Sequence, residues 1–202
     1  MMRKYYLLII LSVTVVIAFS TTACDRLSVK DDLNDVQFEL TDHRGEKITF
    51  PDSFQGKSVL IGYVYTHCPD ICPMITFNMR DVEQELDRDD LHFVSISFDP
   101  NRDTPEILAD YARNYRLNDD KWSLLTGDRS TISELLDRLN IATVKTPSRF
   151  TESGHQIYFI DHTDRVTLID SEGKIRRHYT GSELRSEEVI ADIRQLLEID
   201  SF

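Results

Sequence analysis

The chain has 202 residues, of which 41% are hydrophobic, and its formal net charge is −12. This length and composition are typical of one domain with a sizeable core and a short additional segment. The excess of acidic residues argues against a surface for nucleic-acid phosphates, and three cysteines are too few for a small disulfide-stabilised scaffold.

Residues 1–24 have the features of an export signal. A positively charged start precedes an apolar run over residues 5–19, and a segment of small residues precedes Cys24. Three interpretations are open: a cleaved lipoprotein signal with Cys24 lipidated, an uncleaved membrane anchor, or a cleaved signal that releases a soluble protein. The first two would both tether the domain outside the cytoplasm.

The segment that follows, residues 25–35, is polar and lacks periodicity, so we interpret it as a tether. The domain is then expected to span residues 36–202. Alternation of apolar and polar residues predicts a strand over 36–40, and a turn separates it from a second short strand over 47–50. This N-terminal hairpin precedes the central strand.

An apolar run over residues 58–65 predicts a buried central strand, because it is rich in β-branched and aromatic residues and too short for a helix. Pro69 suits the first position of a helix, and apolar residues at helical spacing continue as far as Leu86. Cys68 and Cys72 therefore lie at a strand-to-helix turn. Residues four apart share one helix face, so the two sulfurs can meet, and the helix dipole favours thiolates there.

The rest of the chain alternates between strands and helices and then closes with a hairpin and a helix. The sequence predicts strands over 91–98, 122–127, 156–160, 166–170 and 174–179, helices that begin near 104, 128 and 186, and a polar loop over 145–154. This order predicts an α/β sandwich with a central mixed sheet, flanking helices and an extra N-terminal hairpin. A dithiol beyond the carboxyl end of the first long strand makes the architecture thioredoxin-like.

Two thiols at this spacing favour either dithiol redox chemistry or the binding of a soft metal ion. The pair is one residue longer than Cys-x-x-Cys, which still permits a disulfide but suits a metal better. A metal site would need a third ligand. His162 is the first candidate, because it ends an apolar stretch that faces the dithiol in a thioredoxin-like layout. His67 and His155 remain alternatives.

The other three histidines are not expected to bind metal. His43 and His178 are expected to be solvated, and His92 to be structural at the start of a strand. Two cysteines and one histidine form a soft, three-coordinate ligand set that favours Cu(I) over structural zinc. Cu(II) is possible if water or a carboxylate, from Asp161 or Asp70, completes the set.

Three motifs resemble those of the Sco/SenC family, the copper chaperones for cytochrome c oxidase assembly. The motifs occur in the order and at the distances that the family has, and the resemblance covers roughly residues 36–198. They are Val64–Pro73, Ser97–Pro105 and Ile160–Thr163. The resemblance implies a thioredoxin-like fold with an inserted hairpin.

The resemblance also implies that Cys68, Cys72 and His162 bind copper. The implied function is that of a membrane-tethered metallochaperone that helps assemble the binuclear copper centre of oxidase subunit II. The partner would be the copper domain of that subunit, and other periplasmic copper chaperones or thioredoxin-like reductases would be further partners. The expected location is the periplasmic face of the bacterial cytoplasmic membrane, held by lipidated Cys24 or an uncleaved N-terminal helix.

Two other functions stay open. Cys68 and Cys72 could act as a thiol–disulfide reductase that keeps the cysteines of the oxidase copper site reduced, and such a reductase would not need His162. A peroxidase or redox sensor would need an activated thiolate beside an arginine, and no arginine lies within ten residues before Cys68. In the leading interpretation the protein is not a turnover enzyme.

Overall fold

The structure, a computed structural model, describes residues 27–86, 88–153 and 156–200, so the predicted export signal lies outside it. The strands are β1 (Asp31–Asp32), β2 (Phe38–Asp42), β3 (Lys47–Phe50), β4 (Ser58–Val64), β5 (Leu91–Ser97), β6 (Trp122–Thr126), β7 (Thr143–Lys145), β8 (Arg149–Phe150), β9 (Gln156–Ile157), β10 (Ile160–His162), β11 (Val166–Ile169) and β12 (Lys174–Tyr179). The helices are α1 (Ile71–Glu85), α2 (Pro105–Tyr115), α3 (Arg129–Arg138) and α4 (Ser186–Asp200), and a 3₁₀ turn covers Asp52–Phe54.

Eight strands form one mixed sheet in the order β1-β12-β11-β4-β5-β6-β2-β3. Strands β4, β5 and β6 are parallel, whereas β11 runs antiparallel to β4 and β2 antiparallel to β6. Every residue of β4, β5 and β6 is buried, so both faces of the sheet are covered. The predicted thioredoxin-like α/β sandwich with a mixed sheet is confirmed.

The register of the two central strands fixes where the dithiol lies. Val64 at the end of β4 pairs with Ser97 at the end of β5. The turn after β4 and the loop after β5 therefore leave the sheet at the same edge. This is the edge at which open α/β sheets place their ligand sites.

Helix α1 connects β4 to β5 and packs across the sheet. Its residues Ile75, Met79 and Val82 are fully buried at helical spacing. Gly62 in β4 allows the close approach, because a Cβ atom there would lie 2.6 Å from the Met79 sulfur. The packing holds the first turn of α1, and with it Cys72, against the sheet edge.

The N-terminal region joins both edges of the main sheet. The predicted hairpin is confirmed as β2 and β3, which lie beside β6. At the other edge β1 pairs with β12, and Leu27 and Leu33 are buried. The folded domain thus begins before the predicted boundary at residue 36, and part of the segment expected to be a tether packs on the domain. Two isolated leucines among charged residues carry no periodicity that would have predicted this.

Between α3 and β11 the chain forms an insertion outside the main sheet, which we call the ribbon (residues 143–162). Strands β7 and β10 pair antiparallel at its base, and β8 and β9 pair beyond them. The prediction of a polar loop over 145–154 was wrong in part. The strand predicted over 156–160 is present in part, as β9 and the start of β10. The strands β7 and β8 overlap the predicted loop, and strands of two or three residues are too short for an alternating pattern that would have indicated them.

Candidate metal centre

The turn between β4 and α1 places the two cysteines at the N-terminus of the helix. Cys68 lies in the turn and is partly exposed, whereas Cys72 is the second residue of α1 and fully buried. The backbone N–H of Cys72 donates to the Cys68 Sγ atom at 3.4 Å. Asp70 is the N-cap, so the helix begins two residues later than Pro69 predicted. This N–H has no partner within the helix, as is usual in a first helical turn, and its bond to Sγ stabilises a thiolate at Cys68.

His162 ends β10, and its ring is oriented by two contacts. The Nδ1 atom lies 3.0 Å from the carbonyl oxygen of Thr163, and a carbonyl only accepts, so Nδ1 carries the proton. The Nε2 atom is left with a lone pair and lies 3.7 Å from the Cys72 Sγ atom. The Phe98 ring packs on the imidazole with the ring centres 4.6 Å apart. This arrangement prepares Nε2 as a metal ligand.

Cys68, Cys72 and His162 form a group whose ligand atoms all lie within 4.8 Å of one another. Among the described residues this is the one group of three or more potential ligands, and the carboxylates of Asp70 and Asp161 are not part of it. Two thiols and an imidazole are soft donors, and three ligands fall short of the closed tetrahedron of structural zinc. The residues present therefore fit a soft metal ion of low coordination number.

The remaining histidines lie elsewhere. His67 is exposed and contacts Thr66, and His155 falls outside the described residues. His92 is buried in the core as expected, and His178 is exposed. The expectation that His43 is solvated was wrong, because its turn packs against β6 and buries the ring. There the ring accepts a hydrogen bond from the backbone N–H of Leu124.

The pKa values of the two thiols are shifted in opposite directions. The hydrogen bond from the Cys72 thiol lowers the pKa of Cys68 to about 3, with further contributions from the backbone N–H groups of Asp70 and Cys72. The same shared proton, together with burial, raises the pKa of Cys72. In the metal-free protein Cys68 is thus the thiolate and Cys72 holds the proton. The more exposed sulfur is also the more nucleophilic one.

A buried carboxylate supports the turn that carries Cys68. Asp103 is fully buried and accepts hydrogen bonds from Thr66 Oγ1 at 2.6 Å and from Ser97 Oγ at 2.6 Å. The backbone N–H of Thr66 also donates to Asp103, at 3.1 Å. Asp103 lies within the motif Ser97–Pro105, and no residue pattern there predicted a role for it. The pairing of β4 with β5 brings the turn after β4 and the loop after β5 to one edge of the sheet, and this places Asp103 beside Thr66.

A second set of contacts holds the ribbon, and with it His162, against the sheet edge. The Tyr158 hydroxyl donates to Asp99 at 2.9 Å. The centre of its ring lies 3.7 Å from the Arg102 guanidinium carbon and 3.4 Å from the Lys145 ammonium nitrogen. The backbone N–H of Ile160 donates to the Tyr65 hydroxyl at 3.2 Å. These contacts connect residues distant in sequence, so the sequence alone did not predict them.

The motifs and the geometry agree with a known family, whose SCO1/SenC model matches residues 29–198. The chain belongs to the SCO1/SenC family. The SCO1 protein homolog of Bacillus subtilis is 32% identical over 178 residues, which cover 85% of this chain and 88% of that protein. The resemblance inferred from the three sequence motifs is confirmed.

Two solved structures bear on the site. Bradyrhizobium japonicum ScoI with copper bound is 31% identical with a TM-score of 0.64, and the match covers 80% of this chain and 98% of that one. BsSco, for which a disulfide switch was identified, belongs to the Sco family of cytochrome c oxidase assembly proteins. It is 31% identical with a TM-score of 0.65, over 82% of this chain and 95% of that one.

The helices of the described residues are α1 to α4 and the short 3₁₀ turn. None of them combines the length and the apolar character that a membrane crossing requires.

Proposed function

We propose that this chain binds copper as a cargo through Cys68, Cys72 and His162 and takes part in cytochrome c oxidase assembly. The observation that carries the proposal is the convergence, within 4.8 Å, of three soft ligand atoms from two distant chain segments. Copper-bound ScoI and the oxidase-assembly role of BsSco support it. The donor set favours Cu(I), and Cu(II) would need a further ligand such as water.

The proposed acceptor is the copper domain of oxidase subunit II, whose binuclear copper centre the protein would help to assemble. Cys68 is the ligand sulfur that solvent reaches, and His162 is partly exposed as well, whereas Cys72 is fully buried. An incoming thiolate of the acceptor would thus replace ligands from the Cys68 side, and His162 would leave with the ribbon. Other periplasmic copper chaperones or thioredoxin-like reductases would load copper or reduce the dithiol.

The proposed location is the periplasmic face of the cytoplasmic membrane. The support is the export-type segment that precedes the described residues, with its apolar run and Cys24. Either lipidation of Cys24 or an uncleaved N-terminal helix would hold the domain there. Both arrangements place the folded domain at the membrane that holds the oxidase subunit.

A thiol–disulfide reductase is the second candidate. It is favoured by the partial exposure of Cys68 beside the buried Cys72, which also lowers the pKa of Cys68. The Cys68 thiolate would attack one sulfur of a partner disulfide, and the other partner sulfur would leave as a thiolate. Cys72, after losing its proton, would attack Cys68 and release the second partner thiolate. Two electrons pass to the partner, and the Cys68–Cys72 disulfide remains.

Copper binding to the reduced protein under anaerobic conditions tests the first proposal. One tightly bound copper is expected in the wild type and a strong loss of affinity in His162→Ala and in Cys72→Ser. His67→Ala is the matched control, because this histidine is exposed beside Cys68 yet outside the ligand group. Binding that is indifferent to His162, or no stoichiometric copper, would contradict copper carriage and leave the reductase as the better account.

A further inference from the structure

The exposed face of α1 carries an apolar stripe that begins beside the dithiol. Ile71, Met74 and Phe77 follow one another at intervals of three residues, so they lie along one side of the helix. Met74 is 45% exposed and Phe77 is 44% exposed, whereas Ile75 and Met79 on the other side are fully buried. Ile71 is half-buried and also packs against the core, whereas the exposed parts of Met74 and Phe77 are additional to the face that packs on the sheet.

The stripe continues onto α2 through an aromatic contact. The rings of Phe77 and Tyr115 lie 5.1 Å apart, and the Arg80 guanidinium lies 4.9 Å from the Phe77 ring centre. Arg80 in turn donates to the backbone carbonyl oxygen of Tyr115 at 3.0 Å. These contacts hold the aromatic side chains in place before any partner arrives. Pre-ordered aromatic, Met and Arg side chains are the composition enriched in protein interfaces.

The position of the stripe identifies what would cover it. Cys68 lies three residues before Ile71 and is the partly exposed sulfur, so a protein that exchanges a ligand or a disulfide there approaches the end of α1 at which the stripe begins. A lipid surface is a poorer occupant, because anionic headgroups repel a chain with a net charge of −12. The stripe is also short, which suits a transient partner better than a permanent one.

We propose that Ile71, Met74, Phe77 and Tyr115 form a docking surface for the protein that accepts copper or electrons at Cys68. The inference rests on the proposed function and adds to it the surface that recognises the partner. The expected complement is an apolar patch beside the acceptor thiols, with a carboxylate or a carbonyl group positioned to meet Arg80. Docking would bring the acceptor thiols to the exposed side of Cys68.

The test uses the full chain, reduced and free of copper, in lipid nanodiscs. Its affinity for the reduced, copper-free copper domain of oxidase subunit II is measured by biolayer interferometry. Met74→Ser/Phe77→Ser should weaken binding by about tenfold or more. The single Met74→Ser variant should weaken it by less, and it guards against any loss of stability in the double variant. Ile107→Ser is the matched control, because Ile107 is a 38% exposed apolar residue on α2 that lies outside the proposed surface.

Equal affinity of the wild type and the stripe variants would overturn the docking proposal, as would a wild type that does not bind this domain. Loss of a dimer in the double variant with unchanged affinity for the domain would assign the stripe to a second copy and overturn it as well. Because the affinity is measured without copper, failure of copper binding would count against the proposed function alone. Copper release to a small chelator should be the same in all variants.

Discussion

Removing one hydroxyl group from the ribbon should weaken copper binding without touching a ligand. Tyr158 lies four residues before His162, is buried, and donates to the Asp99 carboxylate at 2.9 Å. Tyr158→Phe deletes this bond and keeps the ring that contacts Arg102 and Lys145. Asp99 retains Arg102 as its ion-pair partner, so the variant leaves no orphaned buried charge.

A hydrogen bond to a charged group contributes about 1.5–3 kcal/mol. If the whole of this energy holds His162 over the dithiol, its loss lowers copper affinity by about 10- to 140-fold, because 1.4 kcal/mol corresponds to a factor of ten. That range is an upper limit, since the Ile160 bond to Tyr65 also holds the ribbon. Competition with a chelator of known Cu(I) affinity measures the change.

Tyr179→Phe is the control for this prediction. The Tyr179 hydroxyl donates to Asp192 at 2.9 Å, and Asp192 is paired with Arg177, so the deleted bond is of the same kind. Tyr179 lies on β12 rather than on the ribbon. Both variants should lose stability, but only Tyr158→Phe should lose copper affinity. Unchanged copper affinity in Tyr158→Phe, or an equal loss of copper affinity in Tyr179→Phe, would contradict the role of Tyr158 in holding His162 over the dithiol.

Two further predictions concern buried polar groups. Burial lowers the pKa of His92 to about 4, whereas a histidine in the unfolded chain has a pKa near 6.5. The contribution of His92 to stability is therefore complete above pH 6.5 and is lost as the pH falls towards 4. By pH 4.5 the loss of unfolding free energy amounts to roughly 2–3 kcal/mol. Urea unfolding at pH 7.5 and 4.5 should show a smaller loss in His92→Phe than in the wild type. Parallel pH profiles of the two proteins would contradict this. Thr66→Val removes the 2.6 Å bond to buried Asp103 and should cost about 1.5–3 kcal/mol of unfolding free energy together with some copper affinity. Thr66→Ser should restore both, and a Thr66→Val protein with wild-type stability and affinity would count against the role of Asp103.

The parts of the fold that depend on local pattern were predictable from the sequence. The strand before Cys68, the helix after it and the four-residue spacing of the thiols are properties of one continuous stretch. His162 was harder to place, because its approach to Cys72 depends on a turn of the chain 90 residues away. Residue context left His67 and His155 open, and the family resemblance decided among the three.

The features that could not be predicted are mostly contacts between segments that are distant in sequence. The short strands of the ribbon carry no alternation, and the burial of Leu27 and Leu33 depends on β1 joining the far edge of the sheet. His43 was expected to be solvated because it lies in a polar turn, yet that turn packs against Leu124. In each case the deciding neighbour is distant in sequence, and a single chain gives no periodicity that reports it.

X-ray absorption of the reduced, copper-loaded protein tests the central claim most directly, because it counts the atoms bound to the metal. We expect two sulfur atoms and one nitrogen atom around Cu(I), with the nitrogen contribution absent in His162→Ala and one sulfur absent in Cys72→Ser. A copper environment of sulfur alone in the wild type, or a nitrogen contribution that persists in His162→Ala, would contradict the assignment of Cys68, Cys72 and His162 as the copper ligands.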